Sequence, residues 1–422
     1  MSCYALIDCN NFFVSCERLF RPDLADKPVA VLSNNDGCIV ARSNEIKALG
    51  IPMGVPLFKV RDIVKANRAV LFSANFELYG DISQRIVQLL REETPLIEVY
   101  SIDENFIDLS ELPIRDRNAW AERVRDRILK EIGVPTSVGV APTKTLAKVA
   151  STFAKTHGDG TWVVESDEER QAMLRELPIE DIWGVGWRLA PRLRDRGVSW
   201  AAQLTDASDA WLRTQFNVTG MRMVDELRGI PRLPFGDKAE QRKTIMRSRS
   251  FGHTVRDYFQ LESAVAAFVT QAAARLRAQD SVCDGLTIML QLASRDRGRK
   301  RYISRHVKLP EPTAHTGQLI ASSLEGLAAL YDVEGAYKKA GVTLTGIVDR
   351  SEWQLSLLHQ EHDERERGVV LMQSVDTLNR RFGRGTVWHA TEAKRHAQWQ
   401  SKRERQSPRY TTSLTDLPRL HR

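Results

Sequence analysis

Nowhere in the 422 residues does an apolar run approach the length that crosses a bilayer. The opening Met1-Ser2-Cys3-Tyr4-Ala5-Leu6-Ile7-Asp8 has no basic stretch and is broken early by an acid, so it reads as a buried strand rather than a secretory signal. Cysteine is scarce: Cys3, Cys9, Cys16, Cys38 and Cys283 are odd in number and show no Cys-x-x-Cys spacing. That argues against a disulfide framework or a zinc site and predicts free thiols in a reducing, cytoplasmic setting. No internal sequence repeat is present. Acids are the minority charge, 54 Asp+Glu against 61 Lys+Arg, for a net charge of +7. Charged residues at 27% and hydrophobic residues at 42% suit a soluble globular chain, and the length predicts two to four domains with no membrane partner.

The basic excess is unevenly spread. From Leu286 to Pro310, Arg295, Arg297, Arg299, Lys300, Arg301, Arg305 and Lys308 face a single acid, Asp296. A solvated face normally mixes signs, so this stretch predicts a polyanionic partner, nucleic acid first.

Cys3 to Asp8 predicts a first strand, and residues from about 10 to 76 an insertion of short elements, including a strand at Val29 to Leu32 and a helix at Arg42 to Leu49. A helix from about Phe76 to Arg91 follows. Strands at Ile97 to Tyr100 and Asn105 to Leu109, a helix at Arg117 to Glu131 and a strand at Thr136 to Val140 come next. Without the insertion this is β-α-β-β-α-β, the split βαβ arrangement of an α+β fold. A further helix, about Thr143 to Lys155, carries Lys144, Lys148 and Lys155, and a helical region extends from Pro178 to Arg228. Pro231, Pro234 and Gly236 mark a linker, after which the same element order recurs between Thr244 and Val348. Beyond Arg350 the composition predicts a polar, flexible tail.

The chemistry gathers at Ser101-Ile102-Asp103-Glu104, between two strands of the first unit. Neighbouring strand residues point to opposite faces, so Asp103 and Glu104 serve one purpose only where the backbone turns. The split βαβ order would bring Asp8, at the end of strand one, beside them. Three carboxylates without a His or Cys cluster suit Mg²⁺. Two such ions about 4 Å apart serve an in-line displacement at phosphorus. Polymerases and nucleotidyl cyclases both satisfy that argument.

Two motifs carry a resemblance. Tyr4 to Glu17 (YALIDCNNFFVSCE), with Ser101 to Glu104, resembles the Y-family of translesion DNA polymerases. Ser33 to Ser43 (SNNDGCIVARS) and the ending Ser407 to Thr412 (SPRYTT) are similar to its UmuC branch. The resemblance implies a right-hand-like polymerase with a ferredoxin-like (βαββαβ) palm at 1–12 and 77–170, small fingers at 13–76 and a helical thumb at 171–236. A second βαββαβ unit, the little finger, would occupy 243–350, followed by a C-terminal tail at 351–422.

Carried over position by position, Asp8 and Asp103 would bridge two Mg²⁺ ions. Glu104 would complete the site of the ion that activates the primer 3′-hydroxyl, with the Cys9 carbonyl as a further ligand. Phe13, beside Phe12 at the nucleotide, matches the ring that blocks a ribose 2′-hydroxyl; many relatives have Tyr there. Lys47 and Lys155 would meet the triphosphate, whereas Asn44 departs from a Tyr that several relatives place on it. Ile182-Trp183-Gly184-Val185-Gly186 resembles a helix-hairpin-helix turn whose Gly184 and Gly186 admit a DNA phosphate. Arg247 and Arg249, with Arg297, Arg299, Lys300 and Arg301, would track the template backbone. Gln354, Leu355, Leu357 and Leu358 resemble a peptide that docks on the sliding clamp, although the pattern often ends in Phe. The branch implies further partners, a cleaved UmuD dimer and a RecA filament, and an SOS DNA-damage role. A nucleotidyl cyclase has no use for the basic second half or the clamp peptide. A regulatory DNA-binding protein would have no use for three catalytic carboxylates.

Overall fold

The computed structural model describes residues 2–236, 241–293, 301–351, 362–383, 385–393 and 397–417. The chain divides into two compact units. Met1–Ser33, Gly37–Lys238 and Arg405–Arg422 make one, and Asn34–Asp36 with Ala239–Glu404 make the other.

In the first unit, β1 (Tyr4–Cys9) is apolar at every position except Asp8 and is buried on both faces, as a central strand must be. Asn11 adopts left-handed backbone angles (φ 49°, ψ 38°), which asparagine tolerates, and turns the chain directly into α1 (Phe12–Leu19). Next come β2 (Val29–Leu32), β3 (Ile39–Arg42), α2 (Asn44–Ala48), α3 (Leu57–Ala66) and β4 (Val70–Ser73). Their three strands form a separate sheet in the order β3-β2-β4, with a small core of its own around Ile46, Ile51, Val60 and Val64.

The chain then supplies α4 (Phe76–Glu93), β5 (Ile97–Val99), β6 (Glu104–Asp108), α5 (Arg117–Ile132), β7 (Thr136–Ala141), α6 (Lys144–Thr156) and β8 (Thr161–Val163). The main sheet runs β5-β6-β1-β7-β8, with β6 and β7 antiparallel to β1. Side-chain alternation along β1 divides the core. Ala5, Ile7 and Cys9 pack towards α4 and α5, whereas Tyr4 and Leu6 join Phe106 and the α6 residues Leu146, Ala147 and Ala150 on the other face. Asp8 follows the parity of Tyr4 and Leu6, which aims it at the α6 side. The helix lies close: a methyl group added at Gly139 of β7 would fall 2.1 Å from the Ser151 backbone nitrogen.

An unpredicted helix, α7 (Asp167–Glu176), comes next. The predicted helical region from Pro178 to Arg228 is a set of short helices, α8 (Leu189–Arg194), α9 (Ala201–Asp206), α10 (Asp209–Gln215) and α11 (Val218–Leu227), and together with α7 they extend the α6-side core. The chain's last part also belongs to this unit. Ser73 N–H donates to the Arg405 carbonyl at 3.0 Å, and the Tyr410 ring stacks on Phe20 at 4.5 Å.

The second unit contains β9 (Ile245–Val255), α12 (Tyr258–Ala278), β10 (Ser281–Leu292), β11 (Arg301–Thr313), α13 (Thr316–Ala328) and β12 (Tyr337–Asp349). The predicted element order recurs, but the sheet order is β11-β10-β12-β9, so its first strand lies at an edge. The reason is visible in β9, where IMRSRSFGHTV is polar and largely unburied, unlike the apolar β1. After it comes α14 (His362–Phe382), tied to α12 by Arg277 and Asp376 through two bonds of 2.7 and 2.8 Å. Trp399 enters the same core, with its indole N–H on Ser263 Oγ at 2.9 Å. The polar stretch beyond Arg350 is therefore ordered at several points, because scattered apolar residues (Met372, Trp399, Tyr410) anchor it. Among the described residues, no helix is long and apolar enough to cross a membrane.

Candidate active site

Asp8 of β1 and Glu104 of β6 are register partners in an antiparallel pair, so their side chains share a face. Asp103 occupies the turn just before β6, and its carbonyl accepts the Cys9 N–H at 2.9 Å, locking the turn to the end of β1. Ser101 shapes that turn. Its hydroxyl accepts the backbone N–H groups of Asp103 and Glu104 at 3.2 and 3.0 Å and donates to Asp103 Oδ1 at 2.6 Å.

Two α6 lysines neutralise the acids. Lys155 Nζ lies 2.6 Å from Asp8 Oδ2, and Lys148 Nζ lies 2.5 and 2.7 Å from the two oxygens of Glu104. Burial pushes the Asp8 carboxyl above its ordinary value, with Lys155 pulling the other way and Glu104 and Asp103 adding to the rise. Burial also pushes the Cys9 thiol far up, so the atom it could offer a hard cation is its backbone carbonyl.

The fit to Mg²⁺ rests on this donor set. The oxygens are hard, and each of two carboxylates already holds a cation, its lysine ammonium. As placed, the acids turn to Lys148, Lys155 and Ser101, and no group of three acidic, His or Cys side chains among the described residues is closed into a cation cage. A metal ion held by these acids would have to displace the ammonium groups.

Further positive charge surrounds the acids. Lys47 on α2 is exposed, its ammonium 3.5 Å from Asn44 Oδ1, and Asn44 also accepts from Asn11 at 3.0 Å. Burial lowers the Lys47 pKa, the like charges of Arg42 and Lys155 lower it further, and Asp8 opposes them. Arg42 and Lys148 were not among the predicted site residues. Lys148 was legible as an α6 position four residues from Lys144, whereas Arg42 carried no signal beyond its motif.

Phe13 sits at the start of α1 with a partly open face. It stacks on Tyr79 at 4.5 Å and 13° and meets Phe76 edge-on at 5.7 Å. Phe12, grouped with it on sequence, is instead 3% exposed and packs into the core. Gly184 has φ 102°, open to glycine, and the turn it makes leads through Gly186 into α8. Trp183 of that turn packs edge-on against Tyr100 at 5.4 Å, and Lys148 lies over both rings. In the second unit, Arg247 and Arg249 lie on β9 and are partly buried, and Arg301 is exposed at the start of β11. Arg297, Arg299 and Lys300, and the peptide residues Gln354, Leu355, Leu357 and Leu358, lie outside the described residues.

Residues 7–152 match the model of the impB/mucB/samB family, 242–357 its C-terminal domain and 167–198 its helix-hairpin-helix motif. Residues 370–420 match a domain of unknown function. Protein UmuC of Salmonella typhimurium is 38% identical, covering 99% of this chain and 100% of its own length. The chain belongs to the impB/mucB/samB family. It is a Y-family DNA polymerase of the UmuC branch, a DNA-directed DNA polymerase. Protein ImpB of Salmonella typhimurium is 37% identical over 98% of this chain and 99% of its own. DNA polymerase IV of Bacillus velezensis is 27% identical over 90% of this chain and 91% of its own. The fold is that of a Y-family polymerase chimera of Dbh and Dpo4, with a TM-score of 0.65 at 22% identity over 82% of this chain and 99% of the other. DinB from Sulfolobus solfataricus aligns with a TM-score of 0.54, at the same identity and coverage.

Proposed function

We propose that this polymerase extends primers across damaged template bases, with low fidelity, by phosphoryl transfer assisted by two Mg²⁺ ions. The observation that carries the reading is the register pair Asp8–Glu104, with Asp103 in the adjoining turn and Lys47, Lys148 and Lys155 gathered around it. Acids flanked by cations suit a triphosphate and its counter-ions together.

Asp8 and Asp103 would hold both ions, and Glu104 and the Cys9 carbonyl would complete the one nearer the primer terminus. When bound, the ions supply activation of the primer 3′-hydroxyl and neutralisation of the leaving pyrophosphate. Lys155 and Lys47 are the phosphate-binding groups: release from Asp8 leaves the Lys155 ammonium free to pair with phosphate oxygens, and Lys47 is held among the described residues only by the neutral Asn44 amide. Phe13 excludes the 2′-hydroxyl of a ribonucleotide, and Phe12 acts from beneath by seating the start of α1. The five-stranded sheet is the palm, the β2–β4 region the fingers, α7 to α11 the thumb and the second unit the little finger.

DNA is held by the Gly184–Gly186 turn, by Arg247 and Arg249, and by the basic stretch that includes Arg297, Arg299, Lys300 and Arg301. The sliding clamp, a cleaved UmuD dimer and a RecA filament are the proposed partners, in the cytoplasm and within the SOS response. Support for DNA and nucleotide as ligands comes from the Y-family neighbours, one of them an insertion ternary complex of Dbh DNA polymerase.

The test is primer extension on intact and damaged templates, with those partners supplied, by wild type and Asp103→Asn. Template-dependent synthesis by the wild type that Asp103→Asn abolishes is the expected result. A wild type that makes product without primer-template, or none with it, would sink the reading.

A further inference from the structure

Glu17 and Ser407 are 390 residues apart and in contact: the Ser407 hydroxyl donates to Glu17 Oε1 at 3.1 Å. The same carboxyl oxygen accepts the Tyr79 hydroxyl at 2.6 Å. Tyr79 is the residue whose ring lies flat on Phe13. Asn75 completes the connection. Its side-chain N–H₂ donates to Ser407 Oγ at 3.0 Å, to the Ser407 carbonyl at 3.2 Å and to the Pro408 carbonyl at 3.3 Å, while its Oδ1 accepts the Leu78 N–H and caps α4. Glu17, Asn75 and Tyr79 are all 0% exposed, and Ser407 is 7% exposed.

We propose that the C-terminal segment from Arg405 to Tyr410 is a positioning element for sugar selection: through Glu17 and Tyr79, Ser407 holds the platform against which Phe13 rests.

Exclusion of a hydroxyl by a ring is a steep repulsion that works only if the ring cannot retreat. Phe13 has its partly open face to one side and Tyr79 behind it. Tyr79 is held in turn by its hydroxyl, since buried polar groups keep their hydrogen-bond partners at a cost that fixes their position. The segment braces both helices of the stack. It pairs with Ser73 at the end of β4, takes the cap residue of α4, and lays Tyr410 on Phe20 just past α1. α1 carries Phe13 and α4 carries Tyr79 and Phe76, so one segment sets the spacing of all three rings. The segment falls within the matched domain of unknown function and gives that region a task in the active site.

This inference rests on the reading of Phe13 as the sugar-selecting ring, and the experiment separates the two. The full-length polymerase is assayed for kcat/KM with matched deoxyribonucleotides and ribonucleotides, as wild type, Ser407→Ala, Ser407→Thr, Tyr79→Phe and Phe13→Ala. Ser407→Ala is expected to lower the deoxyribo/ribo ratio by about five- to tenfold, the scale of one buried hydrogen bond. Deoxyribonucleotide kcat/KM should stay within about twofold, and Ser407→Thr, which keeps the hydroxyl, should restore the ratio. Tyr79→Phe keeps the ring, cuts its tie to Glu17 and should lower the ratio likewise. A para-fluorophenylalanine at position 13, read by fluorine NMR without substrates, should shift in Ser407→Ala and return in Ser407→Thr. A lower melting temperature with an unchanged ratio and an unmoved fluorine resonance would overturn the proposal and leave the segment a structural tie. An unchanged ratio in Phe13→Ala would instead overturn the sugar-selection reading beneath it.

Discussion

Asp8 and Glu104 stand directly opposite each other across the β1–β6 pair, and each is held by its own lysine from α6. Two carboxylates at such a position repel unless countercharged. Lys148 and Lys155 are seven residues apart, two turns of one helix, and α6 packs close enough on β7 to reach both acids.

Lys148→Met therefore leaves Glu104 without its cation. In the absence of divalent metal the variant should be destabilised by about 1–3 kcal/mol, the scale for a half-buried group deprived of a charged partner. Millimolar Mg²⁺ should recover most of that. Thermal unfolding with and without the metal measures it, and equal losses in both conditions would contradict the role given to Glu104.

Asp103→Asn removes one of the carboxylates proposed to hold the metal ions while leaving the Ser101-bonded turn able to form. Template-dependent synthesis should fall by about a thousandfold or more, since metal-assisted charge stabilisation amounts to several kcal/mol. Single-turnover incorporation with primer-template in excess is the measurement.

Phe13→Ala should lower discrimination between deoxyribonucleotides and ribonucleotides by about a hundredfold, a typical scale for a pocket that rejects an added hydroxyl. Ribonucleotide KM should fall while deoxyribonucleotide kcat changes little.

Glu17 makes stability depend on pH. Burial holds its carboxyl above the ordinary value of 4.5, against the opposing hydrogen bonds from Tyr79 and Ser407. Its second oxygen, Oε2, has no hydrogen-bond partner among the described residues. A folded-state pKa above the unfolded one means that the folded chain keeps a proton the unfolded chain releases. The contribution to stability is thus complete below pH 4.5 and is lost as pH rises through the folded value, at up to about 1.4 kcal/mol per pH unit. Glu17→Gln should flatten that slope, and urea unfolding from about pH 4 to about pH 8 reads it.

Arg249→Ala should weaken primer-template binding. The slope of log affinity against log salt should become shallower by about one for each phosphate that the variant no longer neutralises. An unchanged slope would move the template path away from β9.

The meeting of Asp8 and Glu104, with Asp103 in the adjoining turn, was legible because strand chemistry is local. An apolar run closed by an acid, YALIDC, and a second run opened by Asp103-Glu104 point to one sheet and one face. Which side Asp8 faces was decided by the packing of α6 on that face of the sheet. The βαββαβ order of the second unit was legible for the same reason, but its strand order was not, since pairing partners are set by residues distant in sequence. Phe12 and Phe13 looked alike as neighbours. Only the packing of α1 buried one and left the other partly open.

The steric candidate at Phe13 rested on the family resemblance, whereas the predicted turn at Ser101 to Glu104 and the lysines of α6 follow from residue type and spacing. Those features depend on periodicity within single elements, which a sequence carries in full. Tertiary structure alone decided that Lys148 and Lys155 hold the acids, and that a basic, polar C-terminus returns through Ser407 to Glu17. Burial turns one hydroxyl, one carboxyl and one phenol into a fixed relay, and burial is a property of the folded whole.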